Sequence, residues 1–369
     1  MKKKLSKLQI AQQEVENAVK KVNEEINELG KHTSALYVSL NTMQEMFDRI
    51  RNAPEENKLK YEELKAIRVN WKQQAEKIEM EYKKAEVKTA GQGAAGVGAG
   101  VAVAALGPTA AMGIATTFGV ASTGTAISAL SGAAATNAAL AWLGGGALAA
   151  GGGGMAAGSA FLALAGPVGW TIAGVSVVAS GLMFLKTKSD KERLENIYTL
   201  ISKRDEEAYK LAIAELGKRI ENIVKEAEAL KEAITKIETF GTDYSEMSES
   251  QQYELGSYVN LMESTTKLLI EPISGLQPKY SEYDFNELCS LEDDINKKYF
   301  EEHKNMVISM ANLLAGVPLD DKDKKLLVKS LRKNKEFLST VQMTNKEFGI
   351  SDLIMVERAL QTKGKISVC

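Results

Sequence analysis

Between residues 89 and 185 the chain has no Asp, Glu, Lys, Arg or His, although 25% of all residues are Asp, Glu, Lys or Arg. A gap of that length excludes a uniform soluble α/β enzyme, whose charges are spread along the chain. Histidine is nearly missing too. His32 and His303 stand alone, with no Cys or His at metal-ligand spacing, so neither a zinc site nor a Ser-His type of nucleophile is expected. The two cysteines, Cys289 and Cys369, are too few for a disulfide framework. Aromatics are only 6%, which makes the expected core aliphatic. The net charge of −2 includes no basic excess, and nucleic acid is not an expected partner. Lys2, Lys3 and Lys4 open the chain as a signal peptide does, but Ser6, Lys7, Gln9, Gln12, Gln13 and Glu14 leave no apolar stretch after them. General secretion is therefore not expected. No strand pattern is convincing.

What is present is helical periodicity. Residues 8–50 keep a strict 4,3 spacing through Leu8, Gln12, Val15, Val19, Val22, Ile26, Leu29, Thr33, Leu36, Leu40, Met43, Phe47 and Ile50. This is the seam of one long helix packed along another. Asn52-Ala53-Pro54 breaks it, and a second seam follows at Tyr61, Leu64, Trp71, Ala75, Ile78, Tyr82 and Ala85. A short turn between two long helices makes an antiparallel hairpin. A third long seam includes Tyr209, Ile213, Leu216, Ile220, Ile223, Leu230 and Ile237, and Gly241 ends it. Residues 248–271, capped by Ser248, make a further helix; 273–288 read as irregular, and 289–316, 320–341 and 345–362 as shorter helices. Asp293-Asp294 and Asp320-Asp321 read as helix starts or turns. The expected fold is all-α. It is a long antiparallel helical bundle with coiled-coil arms and a Gly/Ala-rich hydrophobic hairpin. Its parts are arms at 1–88, the hydrophobic segment at 89–185, a return helix at 186–241 and a helical region at 242–369. Val22, Ile26, Leu40, Ile213, Ile220 and Ile223 are the expected packing seam, through which the arms also self-associate.

The charge-free run holds 22 of the 30 glycines. Each glycine costs a water-exposed helix about 1 kcal/mol relative to Ala, whereas small residues favour close helix packing in lipid. Gly96, Gly100, Gly154 and Gly158 have small-xxx-small spacing. Residues 155–185 form a 31-residue apolar stretch interrupted by Pro167, against the about 20 residues a spanning helix needs. Trp142, Phe161, Trp170, Ile172, Val175 and Phe184 are its expected lipid contacts, together with those glycines. Lys83, Lys84 and Lys88 on one flank, and Lys186, Lys188 and Lys191 on the other, place both ends on one side after two or four passes. Thr109, Thr116 and Thr123 recur every seven residues, as one water-tolerant helix face would. The glycines at 96, 98 and 100 lack the Lys-Ser/Thr of a phosphate loop, and no active-site constellation is found.

Long amphipathic helices, a Gly/Ala-rich hydrophobic hairpin and a long return helix, over residues 1–240, resemble the α-helical pore-forming toxins of the cytolysin A and haemolysin BL type. More loosely they resemble the apolipoprotein L family. The string from Ser131 through Asn137 and Trp142 to Gly158 is similar to a glycine-rich membrane segment of bacterial proteins. The resemblance implies a hydrophobic segment sheltered in a soluble form that inserts on oligomerisation. The expectation is thus a non-enzymatic membrane-inserting protein that permeabilises or remodels a bilayer, without cofactors. It would be membrane-associated at the cytoplasmic face, or soluble in the cytoplasm before insertion. A permanent membrane-anchored coiled-coil scaffold and a soluble helical interaction protein remain the alternatives.

Overall fold

The computed structural model describes residues 6–69, 187–270, 273–276, 279–280, 282–334, 337–338, 341 and 343–366. They are all-α, and the pair Arg51 and Asp243 forms the single β-bridge among them. The helices are α1 (Lys7–Arg49), α2 (residues 55–69), α3 (Lys188–Ile237), α4 (Glu249–Ile270), α5 (Glu282–Leu291), α6 (Asp294–Glu302), α7 (Lys304–Leu314), α8 (Asp321–Leu331) and α9 (Ile350–Ile366).

Four of them build a stalk. α1 is 43 residues long and α3 is 50, which at 1.5 Å per residue makes them about 65 and 75 Å. Ser6 starts α1 with a capping box to Gln9, and the seam Val15, Val22, Leu29, Leu36, Leu40 and Met43 then faces α3. α1 and α3 run parallel. Leu8 packs with Leu194 and Ile197 at one end, while Phe47, Ile50 and Ile237 share the core at the other. The antiparallel hairpin expected after Pro54 is present, and α3 and α4 form a second one. α2 returns along α1, with the Phe47 and Tyr61 rings 5.4 Å apart. α4 returns along α3, where Lys236 meets Glu254 at 3.4 Å and Arg219 Nη1 donates to the Leu268 carbonyl at 3.0 Å. The two long helices are parallel because both hairpins turn at the same tip. There the Arg51 amide donates to Thr242 O (2.8 Å), the Tyr244 amide donates to Arg51 O (2.9 Å), and Asn52 Nδ2 donates to Asp243 Oδ1 (3.0 Å). Asn52 (φ 58°) and Gly241 (φ 79°) supply the left-handed backbone that the turns require.

The remaining helices form a head. Residues 306–314 of α7 are buried on every side, which makes α7 its central helix. Asn312 is satisfied there: its Nδ2 donates to Tyr280 O and its Oδ1 accepts from the Tyr280 amide. Phe300, Leu327, Phe337, Phe348 and Leu353 close around α7 together with Leu194, Ile197, Tyr198 and Ile201 of α3. Cores and sequence segments therefore divide the chain differently. The first turns of α3 belong to the head, and α4 belongs to the stalk.

Among the described residues no helix is long and apolar enough to cross a membrane. This corrects the expectation of a membrane, transmembrane and pore-forming chain. The helices with sufficient length, α1 and α3, carry charges in nearly every turn (Lys20, Lys21, Glu24 and Glu25; Lys218, Arg219 and Glu221), which cannot be stripped of water cheaply. Gly96, Gly100, Trp142, Gly154, Gly158, Phe161, Trp170, Ile172, Val175 and Phe184 lie outside the described residues, as does the Gly/Ala hairpin they were to form.

Candidate functional site

The polar groups that organise this molecule lie at three places: the waist between head and stalk, the interior of the stalk, and the surface of the head. At the waist α3 passes from one core to the other, and there it presents Ser202 and Asp205, both buried. Asp205 is 1% exposed. Its Oδ1 accepts from Arg204 Nε (3.0 Å) and Nη2 (2.8 Å) and lies 3.0 Å from Lys279 Nζ. Arg204 Nη1 donates in turn to the carbonyls of Leu313 and Ala315 at the end of α7, where a cation is favourable to the exposed carbonyls. A buried carboxylate thus ties α3, α7 and the 279–280 segment together. Among the described residues its Oδ2 has no hydrogen-bond partner, and neither does the hydroxyl of Ser202, about one turn earlier on the same helix. Burial, and then the Asp205 charge, hold the Tyr209 phenol well above its usual range. The 274–276 turn presses onto the same helix. The Gly275 amide donates to Glu215 Oε2 at 3.0 Å, and a Cβ at Gly275 would sit 2.4 Å from Ala208 O and from Ala212 N. Only glycine allows that approach.

Inside the stalk Arg68 is 2% exposed. Nη1 donates to Thr266 Oγ1 (3.2 Å) and Nη2 to Gln44 Oε1 (2.5 Å), while Nε has no partner among the described residues. Gln44 passes the contact on, donating to Asp48 Oδ1 at 2.8 Å, and Asp48 Oδ2 pairs with Lys65 at 2.9 Å. Burial lowers the Arg68 guanidinium to about 10.

The head carries two shallow grooves of opposite charge, both of which draw residues from the 343–350 stretch. One, about 490 Å³, is lined by Lys325, Lys329, Arg332 and Lys333 over Val328 and Ile350. Arg332 is fixed by donating from Nε to Phe348 O. The other, about 530 Å³, is lined by Glu301, Glu302 and Glu347, with His303, Lys304 and Asn305 beside them, over Val341 and Met343; its carboxylates outnumber its one lysine.

None of these arrangements resembles a reaction centre. Among the described residues no group of three His, Cys, Asp or Glu is placed to hold a metal. His32 pairs with Glu28 at 3.3 Å, and His303 stacks on Tyr299 with centroids 4.4 Å apart. The buried Cys289 thiol is pushed up by burial, the opposite of an activated nucleophile.

Of the seam residues, Val22, Leu40 and Ile223 are fully buried in the stalk and Ile213 and Ile220 pack against that core. The side chain of Ile26 lies outside the described residues. Sequence reasoning missed Arg68, although a signal was there. In the 3,4,3 rhythm Tyr61, Leu64, Arg68, Trp71 it occupies a seam position, and a charge in a seam is costly unless it has partners. The Asp205, Arg204 and Lys279 cluster joins residues as far as 75 positions apart and had no local signal. The chain matches no protein-family model, no curated protein and no solved structure.

Proposed function

We propose that the chain is a non-enzymatic helical interaction scaffold: a rigid stalk and head that hold the charge-free run and the head surface in fixed relation. The observation that carries this reading is the continuity of α3. One unbroken 50-residue helix contributes Leu194, Ile197 and Ile201 to the head core and Leu216, Ile223 and Leu230 to the stalk core. Two bodies that share a helix, with a buried carboxylate locking the point of transfer, cannot hinge freely there. The long amphipathic faces support the same reading. They are spent on each other inside the chain, which leaves the stalk a framework rather than a free arm. The chain leaves the described body beside Gln44 and returns at Thr187, next to the Asp190 and Lys322 pair that joins α3 to α8.

The test is exposure of the full chain to dye-loaded liposomes of neutral and of anionic composition. A scaffold stays in the supernatant and releases no dye. Dye release, or pelleting with the vesicles, overturns the scaffold reading and returns residues 89–185 to the bilayer.

A further inference from the structure

We propose that two copies of this chain pair head to head, the basic groove of each seated on the acidic groove of the other. The inference goes beyond the scaffold reading and stands without it. Four observations carry it.

The grooves are complementary in charge and similar in size, about 490 and 530 Å³. Lys325 and Lys329 form no ion pair within the chain among the described residues, and neither does Glu301. The lysine in the acidic groove, Lys304, has its Nζ 5.5 Å from the centre of the Phe285 ring, a cation-π contact. Each groove also has an apolar floor, Val328 with Ile350 and Val341 with Met343, beneath a charged rim, which is how interfaces are commonly built.

The placement of the grooves supports a closed pair. They share one short stretch, residues 343–350, which gives Asn345 and Ile350 to the basic groove and Met343 and Glu347 to the acidic one. A two-fold axis through that stretch sets Lys325 and Lys329 of one copy against Glu301 and Glu302 of the other, and repeats the same contact in reverse. Such a contact is self-complementary and closes at two subunits. The arms are less available for self-association. Their seam residues Val22, Leu40 and Ile223 are already buried within one chain, and a second copy would have to displace α3 or α1 to reach them.

Sedimentation velocity of the full chain tests the proposal. Wild type is expected to be a dimer at low ionic strength. Raising salt from about 0.05 to about 0.5 M should weaken association at least about tenfold, since the contact is made between exposed charges. The double variant Lys325→Glu with Lys329→Glu should be monomeric, and so should Glu301→Lys with Glu302→Lys. Combining all four substitutions restores the attraction with its sign exchanged and should restore the dimer. The positions are exposed, so circular dichroism of every variant should match wild type. A wild type that stays monomeric throughout the micromolar range overturns the proposal. So does a dimer indifferent to either reversal, or a fourfold variant that remains monomeric. A monomer that binds phosphatidylglycerol vesicles through Lys325 and Lys329 would also overturn it, by giving the basic groove to lipid headgroups.

Discussion

Arg68 reaches from α2 across the stalk to Gln44 on α1, and among the described residues no carboxylate hydrogen-bonds to it directly; Asp48 is met through the Gln44 amide. This arrangement makes the two partners unequal. Gln44→Leu leaves a buried guanidinium nitrogen unpaired and should cost about 1–3 kcal/mol or more. Arg68→Met removes the charge together with its need for partners, and should fall within about 1 kcal/mol of wild type or above it. Urea unfolding of both variants decides. If Arg68→Met is the more damaging, the guanidinium is a net stabiliser of the stalk.

Two glycines of α3 and its neighbour should respond in opposite directions. Gly275→Ala places a methyl group 2.4 Å from backbone atoms of Ala208 and Ala212 and should destabilise by about 1–3 kcal/mol or more. Gly217 lies in the interior of α3 with nothing within 4 Å of a Cβ, so Gly217→Ala should stabilise by about 0.4–1 kcal/mol. Equal effects from the two would mean that the 274–276 turn is not pressed against the helix.

Alkaline pH should loosen the head core where α3 runs through it. Burial pushes the Tyr198 phenol up to about 12 from its ordinary 10.0. Between those values the folded chain holds a proton that the unfolded chain has lost, so stability falls as pH rises through the interval and levels off above it. A shift of that size corresponds to about 2–3 kcal/mol. Arg68, lowered by burial, acts in the opposite sense over part of the same range, so the informative quantity is the difference between wild type and Tyr198→Phe. The variant should show a shallower decline in melting temperature from pH 10 to 12. Identical slopes would place the Tyr198 hydroxyl in contact with water.

Core and surface isoleucines give a fourth check. Ile223 is completely buried in the stalk and Ile295 is 84% exposed on the head. Ile223→Ala should cost about 2–5 kcal/mol, whereas Ile295→Ala should change stability by less than about 0.5 kcal/mol. Thermal melts that do not separate the two would refute the α1 and α3 seam.

Much of this architecture was legible because helical packing repeats locally. The 4,3 rhythm from Leu8 to Ile50 located α1 to within a residue, and Ser248 caps the helix it was expected to start; Asp293 and Asp320, read as helix starts or turns, are both N-caps in the structure. The return helix expected at 186–241 is α3, Lys188–Ile237, but its apolar seam was recognised only from Tyr209 onward. Its first turns face a different core, and Ser202 and Asp205 interrupt the apolar pattern where the helix changes partners. α5 was missed altogether between Pro278 and Asp293, a segment too short for periodicity to speak. The parallel course of α1 and α3 was illegible in principle, since a seam records which face is apolar and says nothing of the direction in which its partner runs. The head grooves were hidden for a related reason: they join Lys329 to Ile350, and Glu301 to Glu347, across turns that carry no periodic signal.

The parallel pairing of α1 and α3 also sets an order of events during synthesis. α1 is complete at Arg49, but its partner strip on α3 is finished only at Ile237. At about 5–20 residues per second the nascent chain carries an unmatched apolar stripe for on the order of 10–40 s, with α2 as its nearest cover. The ribosome therefore releases the stalk's two halves as strangers, and the interval between them is when a chaperone, or another copy's helix, has its opportunity.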